Sequence, residues 1–211
     1  MSALVTLSSS YGAAGGVIGP ELAQSLGVPF VDRAIPLGVA EDLDVALDDA
    51  VAHDMRLASS FLERVLRSFA SADPGGPAPL PVEQLTPDEF RRATEAVISR
   101  QAASGEGVIL GRAGAILLRD DPRVLRVRLD GPRDRRIRRA MQMGGLDEAT
   151  AKRALSKADR THETYVKHFY NADIHDPRLY HLVIDTTAIS TDACVEALAV
   201  AARSRAELHA G

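Results

Sequence analysis

The sequence has 211 residues, 45% hydrophobic and 26% charged, which is enough for one globular domain with its own core. A formal net charge of −4, 4% aromatic residues and no tryptophan argue against a nucleic-acid partner. The single cysteine, Cys194, excludes an internal disulfide and any multi-cysteine metal site.

The N-terminal segment has neither the basic region nor the long apolar stretch of a signal peptide. No apolar run approaches the roughly 18 residues that are needed to span a membrane. The histidines show no spacing that is typical of metal ligands. The sequence therefore predicts a cytoplasmic protein with no membrane partner and no protein-held metal site.

The first predicted elements are a strand, a glycine-rich turn, a helix and a second strand. Residues 3–8 form a short apolar run, and residues 11–19 are rich in glycine. A helix is predicted to begin at Pro20 and to be closed by Gly27, the usual place of a C-terminal glycine. Residues 28–32 then predict a strand. A strand, glycine loop, helix and strand in this order are typical of a parallel sheet.

The next part of the chain is predicted to be mainly helical. Residues 34–67 have helical spacing, and residues 73–81 are so rich in proline and glycine that they predict a loop. Thr86, followed by Pro87 and two acids, is a good helix start. This helix is predicted to run to about Ser104.

Three more strands and three more helices complete the pattern. The strands are predicted at 107–111, 123–130 and 181–185, and the helices at 133–143, from 147 onward and at 191–208. Five short apolar strands separated by helices predict an α/β fold. We expect a three-layer α/β/α sandwich around a five-stranded parallel sheet, with residues 1–211 forming a single domain.

The glycine-rich turn is open to three interpretations. Backbone N–H groups before a helix bind phosphate in P-loop kinases and in dinucleotide-binding folds, and the glycines also suit close packing alone. The strict P-loop pattern fails, because Gly16, Val17 and Ile18 stand where its lysine and hydroxyl residue belong. Residues 14–19 match the dinucleotide pattern except at its first glycine, and Asp32 ends the next strand. However, no Tyr-x-x-x-Lys pair follows, so an NAD(P)-binding oxidoreductase is a distant alternative.

Five stretches in a fixed order carry a resemblance to a known family. They are SSSYGAAGG at 8–16, PFVDR at 29–33, ILGRA at 109–113, the arginine-rich helix from Arg135 to Arg139, and DPRLYHLVIDT at 176–186. With them the chain resembles the cytidylate kinase-like family of P-loop proteins over roughly residues 4–187. The resemblance implies a P-loop kinase-type fold with a helical, monophosphate-binding insert at approximately 36–100 and an arginine-rich lid at approximately 133–170. It also implies ATP-dependent phosphorylation of a nucleoside monophosphate, most simply CMP or dCMP, with Mg²⁺.

The same resemblance implies three groups of site residues. Those that contact the ATP phosphates are Gly12, Ala13, Ala14, Gly15, Gly16 and Val17. Those with a catalytic role on the phosphates are Arg135, Arg138, Arg139 and Arg160. Those that contact the acceptor nucleotide are Asp32, Arg33, Gly111 and Arg112. Guanidinium groups suit this work because they bind phosphate oxygens in pairs.

Two departures from the family pattern keep a second class of function open. The loop has no lysine or hydroxyl, and His162 stands where the family usually has a further lid arginine. A neutral imidazole replaces a permanent charge poorly. The lid arginines also fit a solvated basic face paired with Asp134, Asp147 and Glu148. The alternative to a kinase is thus a non-catalytic nucleotide-binding relative that acts as an interaction or regulatory module; small-molecule nucleotides are the partners in both.

Overall fold

The computed structural model describes residues 3–31, 87–111 and 113–209, without the side chains of residues 87–90, 93 and 94. Its strands are β1 (Leu4–Ser9), β2 (Phe30–Val31), β3 (Gly107–Leu110), β4 (Val124–Asp130) and β5 (Leu182–Asp185). Its helices are α1 (Gly15–Leu26), α2 (Pro87–Ser104), α3 (Gly114–Leu117), α4 (Arg133–Gly144), α5 (Glu148–Tyr170) and α6 (Thr191–Leu208). A 3₁₀ turn at Pro177–Leu179 precedes β5.

The five strands form one parallel sheet in the order β2-β3-β1-β4-β5. Every residue of the central strand β1 is buried, because helices cover both faces of the sheet. On one face, α1 and α6 pack against residues such as Val5 and Val127. On the other face, Ile98 of α2 packs against Leu4 and Ile109. The predicted three-layer α/β/α sandwich is confirmed.

The strand order also decides against the dinucleotide interpretation of the glycine-rich turn. In the dinucleotide-binding fold the first strand lies beside the second, in the order 3-2-1-4-5-6. Here β1 lies between β3 and β4, and β2 is at the edge. The loop after β1 therefore belongs to a different α/β topology, and the NAD(P)-binding alternative loses its structural basis.

The predicted insert and lid are described to different extents. Of the predicted insert at 36–100, the structure describes part of α2, which begins at Pro87 and ends at Ser104 as predicted. The helix predicted at 34–67 and the loop predicted at 73–81 lie outside the described residues. The predicted lid at 133–170 corresponds to α4 and α5, which pack through a small apolar cluster that includes Ile137 and Leu155. Among the helices described, none is long and apolar enough to cross a bilayer.

The largest difference from prediction is the start of α1. The helix begins at Gly15, so residues 15–19, predicted as a turn, are helical and Pro20 lies inside the helix. Proline favours the first helical position, and this preference misplaced the predicted start. The ring removes one backbone hydrogen bond, but Ile18 and Leu22 on either side are fully buried and keep the helix packed. The short helix α3 was not predicted, because four residues are too few to show a period.

The pairing of β4 with β5 continues at His181 and has a consequence for acid stability. His181 N donates to Arg126 O at 2.7 Å, and its Nδ1 accepts from Arg126 N at 3.1 Å. Partial burial, together with the charges of Arg126 and Arg205, lowers the pKa of His181 to about 4. The unfolded chain, with a histidine pKa near ~6.5, therefore binds more protons between these two values. The free energy of unfolding should therefore fall as the pH drops from about 6.5 to about 4.

We expect a His181→Gln variant to lose less stability than the wild type between about pH 6.5 and 4, because glutamine has no proton to take up on unfolding. Urea unfolding midpoints measured across this range test the expectation. The carboxylates are the same in both proteins, so their titration affects the two alike. Midpoints that fall in parallel for the two proteins would contradict the assignment of acid sensitivity to His181.

Candidate phosphate-binding site

The loop after β1 presents backbone amides at the C-terminal edge of the sheet, where α/β sheets of this kind bind ligands. Ala13 N donates to Ser10 O at 3.0 Å, and Ala14 O accepts from both Val17 N and Ile18 N. Gly12 and Ala14 have left-handed conformations, with φ of 78° and 60°. No side chain caps α1, so the first N–H groups of this helix have no intrahelical partner. Such an arrangement is suited to bind an anion.

Two alanines in left-handed conformations stand at this edge. Ala14 precedes α1 with φ of 60°, and Ala113 precedes α3 with φ of 56°. A left-handed alanine costs roughly 1–2 kcal/mol, so packing must hold it there. Both are nearly buried, and each follows one of two neighbouring strands, β1 and β3. Strained backbone of this kind clusters at ligand sites.

The glycines of the loop differ in whether the neighbouring atoms leave room for a side chain. A Cβ on Gly12 would collide with the main-chain carbonyl of Arg136, and a Cβ on Gly15 would lie 2.5 Å from the Ser9 side chain. A Cβ on Gly16 would meet nothing within 4 Å. Close packing therefore explains Gly12 and Gly15, whereas Gly16 faces open space beside the uncapped amides.

A partly buried ion pair ties the loop to both helices of the lid region. The Arg136 guanidinium donates to Asp159 Oδ2 at 2.8 Å, to Tyr11 O at 2.9 Å and to Gly131 O at 2.9 Å. Asp159 Oδ1 accepts from Tyr11 N at 3.2 Å. Both main-chain polar groups of Tyr11 are thus held by one arginine of α4 and one aspartate of α5. The sequence hinted at this role, because Arg136 adjoins the apolar face of α4 that includes Ile137 and Ala140.

Two of the four arginines predicted to be catalytic lie at the end of β5. Arg135 Nη1 is 3.3 Å from Asp185 Oδ2, and Arg139 Nη1 donates to Thr186 O at 2.8 Å. The Thr186 hydroxyl donates to Ala13 O at 2.9 Å, so this group adjoins the loop. Hydrogen bonds from Thr187, with burial opposing and Arg135 assisting, hold the pKa of Asp185 below its ordinary value. The structure thus brings Arg135 and Arg139 to the strand edge.

The other two predicted arginines point elsewhere. Arg138 donates to Asp134 Oδ2 at 2.9 Å, and both side chains are more than 60% exposed. It lines a groove of about 600 Å³ on the outer side of α4 and α5. Arg160 is exposed on α5, and its side chain makes no hydrogen bond or ion pair with another residue that the structure describes. Arg135, Arg138 and Arg139 therefore do not share one target.

The acceptor side is described in part. Gly111 follows β3 with φ of 78°, and its N–H donates to Leu7 O at 2.7 Å. A cavity of about 10 Å³ lies beside it, with Ser8, His162 and Tyr180 in its walls. His162, where the family pattern has an arginine, thus borders the strand ends rather than the outer surface. The other predicted acceptor residues, Asp32, Arg33 and Arg112, lie outside the described residues.

The sequence analysis missed a buried arginine at this edge. Arg128 of β4 is 3% exposed, and its Nη1 and Nη2 donate to Ser8 Oγ at 3.0 Å and Ser10 Oγ at 2.9 Å. Asp130 Oδ2 is 3.5 Å from Nη2, and the Tyr180 ring centre is 6.0 Å from the guanidinium carbon. The available signal was the alternation of β4, which places Arg128 on the same face of the strand as the buried Val124.

Comparison with known proteins bears on the family and the fold of this chain. A sequence model described as the cytidylate kinase-like family matches residues 4–188. An uncharacterized protein from Eubacterium ventriosum superposes with a TM-score of 0.68 at 17% identity, over 96% of this chain and 99% of that chain. A gluconokinase from Sinorhizobium meliloti superposes with a TM-score of 0.53 at 16% identity, over 97% and 94% of the two chains. The fold is that of P-loop kinases.

One curated protein is similar over part of its length. A segment of 108 residues is 30% identical to part of a uronate isomerase from Corynebacterium glutamicum. The segment covers 51% of this chain and 21% of that protein, so the chain spans about a fifth of the relative it matches.

Proposed function

Because this chain belongs to the cytidylate kinase-like family, we propose that it transfers a phosphoryl group from ATP to a nucleoside monophosphate, with CMP or dCMP as the acceptor. The observation that carries the proposal is the uncapped N-terminus of α1 behind a left-handed loop at the ligand-binding edge of the sheet. Phosphoryl transfer asks little covalent chemistry of a protein, and positioning and charge dominate. Backbone amides with arginines beside them meet that requirement.

In the proposed reaction, an oxygen of the acceptor monophosphate attacks the γ-phosphorus of ATP. The bond to the bridging oxygen breaks, and ADP leaves as CDP or dCDP forms. Amides at the start of α1 would bind the donor phosphates. Arg135 and Arg139 lie close enough to the loop to exchange their contacts with Asp185 and Thr186 for phosphate oxygens. Their charge would then stabilise the transferring group.

Carboxylate oxygens at the C-terminal edge of the sheet suit the Mg²⁺ ion that accompanies ATP. Mg²⁺ in ATP sites is commonly held by one or two carboxylates together with phosphates and water. Asp130 ends β4 beside the loop, and its side chain is 28% exposed. It is therefore the residue that we assign to Mg²⁺. When bound, the ion would neutralise charge on the ATP phosphates.

The insert, the lid and the acceptor contacts are part of the same proposal. Residues 36–100 would close over the acceptor, and residues 133–170 over ATP. Asp32, Arg33, Gly111 and Arg112 would contact the acceptor nucleotide. The fold by itself does not select CMP, since a gluconokinase shares it. The acceptor is therefore assigned from the family alone.

A second candidate function is nucleotide binding without turnover. The loop has Gly16, Val17 and Ile18 in place of a lysine and a hydroxyl. Arg135 and Arg139 already have protein partners at the strand edge. A protein with these features binds ATP through backbone amides but has less charge to stabilise the transition state; loss of one such contact costs on the order of 100-fold in rate. It would then act as an interaction or regulatory module.

The deciding experiment measures binding and turnover on the same protein. Calorimetric titration with ATP–Mg²⁺, CMP and dCMP gives binding. Chromatography of the nucleotides after incubation with ATP–Mg²⁺ and CMP, dCMP, UMP or AMP gives turnover. We expect ADP and a pyrimidine diphosphate in equal amounts. Binding of ATP with no phosphorylated acceptor would favour the non-catalytic candidate, and absence of nucleotide binding would contradict both.

A further inference from the structure

Arg128 is a buried cation whose hydrogen bonds all go to neutral hydroxyls. Its two terminal nitrogens donate to Ser8 Oγ and Ser10 Oγ. We infer that Arg128, acting through Ser8 and Ser10, forms a binding site for the acceptor phosphate. Ser8 and Ser10 would contact the phosphate, and Arg128 is the positioning residue. The inference rests on the proposed function and specifies which residues serve it.

The register of the sheet brings these three residues together. In the pairing of β1 with β4, Ser8 lies opposite Arg128. Ser8 and Ser10 alternate along the chain, so both hydroxyls reach the guanidinium on one face of the sheet. Ser9 faces the opposite side, where it packs near Gly15 of α1. Ser8 and Ser10 therefore lie on the side of the sheet away from α1, which is the side of Gly111 and Tyr180.

The donor and acceptor roles at this contact are fixed by chemistry. A guanidinium has five N–H donors and no acceptor, so both serine oxygens must accept from it. Each hydroxyl proton is then directed away from Arg128 and is available to another acceptor. A hydroxyl that accepts from a cation is polarised and donates more strongly. Ser8 and Ser10 are thereby arranged as two donors for an anion.

The surrounding carboxylates neutralise Arg128 only in part. Asp130 is 3.5 Å from Arg128 Nη2 and 3.4 Å from Arg136 Nε, so two arginines share this carboxylate. The second carboxylate in the group, Asp159, is used by Arg136 and Tyr11. Arg128 therefore has only a share of one carboxylate, and a buried cation that is incompletely neutralised is costly. A phosphate that accepts from Ser8 and Ser10 would reduce this cost.

The position of Ser8 selects the acceptor phosphate rather than a phosphate of ATP. Ser8 and Gly111 both line the cavity of about 10 Å³ at the ends of β1 and β3. This space is about the size of one water and therefore of one phosphoryl oxygen. The helix α1, whose first amides we assign to ATP, packs on the other face of the sheet. An oxygen in the cavity would place the acceptor phosphate across β1 from the donor.

The test is calorimetric titration of CMP into the full chain, which needs no turnover, with KM values for CMP and ATP where activity is found. We expect Ser8→Ala and Ser10→Ala each to weaken CMP binding by ~10-fold, since each removes a hydrogen bond to a charged group. Arg128→Met should weaken it further, and Arg128→Lys should restore part of the loss. The affinity for ATP, titrated without Mg²⁺ because Arg128 contacts the Asp130 that we assign to the metal, should change by less than about twofold in all four.

Two matched controls separate this role from a structural one. Arg126 lies two residues earlier in β4 on the same face and donates to Leu179 O and Arg119 O. Ser9 lies between Ser8 and Ser10 but faces α1. Arg126→Met and Ser9→Ala should leave CMP affinity unchanged, even where the unfolding midpoint falls. Equal losses of CMP and ATP affinity in the Arg128 and serine variants would overturn the inference.

The outcomes for the wild type distinguish the two proposals. If the wild type binds CMP without phosphorylating it, the kinase assignment fails, and the CMP affinities of the serine and Arg128 variants still test the phosphate site. If the wild type phosphorylates CMP and the variants bind it normally, the inference fails and the kinase stands. If the wild type binds no CMP, the inference is overturned.

Discussion

Replacing Gly12 by alanine is expected to lower the free energy of unfolding by about 2–5 kcal/mol. Two costs combine in this estimate. Gly12 has φ of 78°, and a left-handed alanine costs about 1–2 kcal/mol. The new Cβ would also collide with the main-chain carbonyl of Arg136, and overpacking of this kind costs about 1–3 kcal/mol. Backbone of the helix α4 cannot move aside as a flexible side chain would.

Gly16→Ala is the matched control, four residues away in the same segment. Gly16 is helical, and its new Cβ would meet nothing within 4 Å. The free energy of unfolding of the Gly16→Ala variant should equal that of the wild type or exceed it by up to about 1 kcal/mol, because alanine has a higher helix propensity than glycine. Urea unfolding of both variants, with midpoint and slope, gives the comparison. Similar losses in the two variants would contradict the view that packing against Arg136 requires Gly12.

The tolerance of Gly16 makes it useful for testing function. A Gly16→Val variant should fold, yet its side chain would occupy the open space beside the first amides of α1. Loss of ATP binding in a folded Gly16→Val protein would then report on the anion site itself. Retained binding would show that this turn serves the fold alone.

The sheet could be predicted from the sequence because its inner strands β1 and β3 are buried on both faces. Residues such as Val108, Ile109 and Leu110 form a continuous apolar run, and Gly107 and Gly111 bound it. The last helix, Thr191–Leu208, has its predicted bounds. A local contact marks its start, because the Ser190 side chain accepts a hydrogen bond from Ala193 N. Local chemistry fixes both elements, so one sequence suffices to find them.

The residues that sequence reasoning missed depend on contacts between distant parts of the chain. Arg128 is 120 residues from Ser8, and Arg136 is 125 residues from Tyr11. Their apolar neighbours in the sequence hint at burial, but no local spacing identifies their distant partners. Arg135, Arg138 and Arg139 were predicted as one catalytic group, but residues 138 and 139 are ~100° apart on a helix, and their partners differ. The roles of those three arginines in catalysis stay predictions.

The arginines of α4 divide by burial into supports for the loop and candidates for ligand binding. Arg136 is 7% exposed and holds the main chain of Tyr11. Arg135, at 48% exposure, and Arg139 contact the end of β5 and are nearer to solvent. A guanidinium that is already enclosed by protein acceptors cannot move to a phosphate without leaving them unpaired. We therefore expect Arg136 to contribute to stability and Arg135 and Arg139 to turnover.

Asp159→Ala is expected to lower the free energy of unfolding by about 3 kcal/mol, because it leaves the enclosed Arg136 without its closest carboxylate. It also removes the acceptor for Tyr11 N and so loosens the loop before α1. We expect ATP binding to weaken by ~10-fold in the same variant, in line with the loss of one positioned contact. Urea unfolding and calorimetric titration with ATP measure the two effects.

The exposed pair Arg138–Asp134 supplies the control for this prediction. Its nitrogen–oxygen distance of 2.9 Å is nearly that of the Arg136–Asp159 pair, 2.8 Å, but its side chains are 63% and 66% exposed against 9% and 22%. Asp134→Ala should therefore cost no more than about 0.5 kcal/mol. A double variant, Arg136→Met with Asp159→Leu, should recover part of the loss, since no enclosed charge is left unpaired. Equal losses of stability in Asp134→Ala and Asp159→Ala would show that burial does not explain the contribution of the Arg136–Asp159 pair.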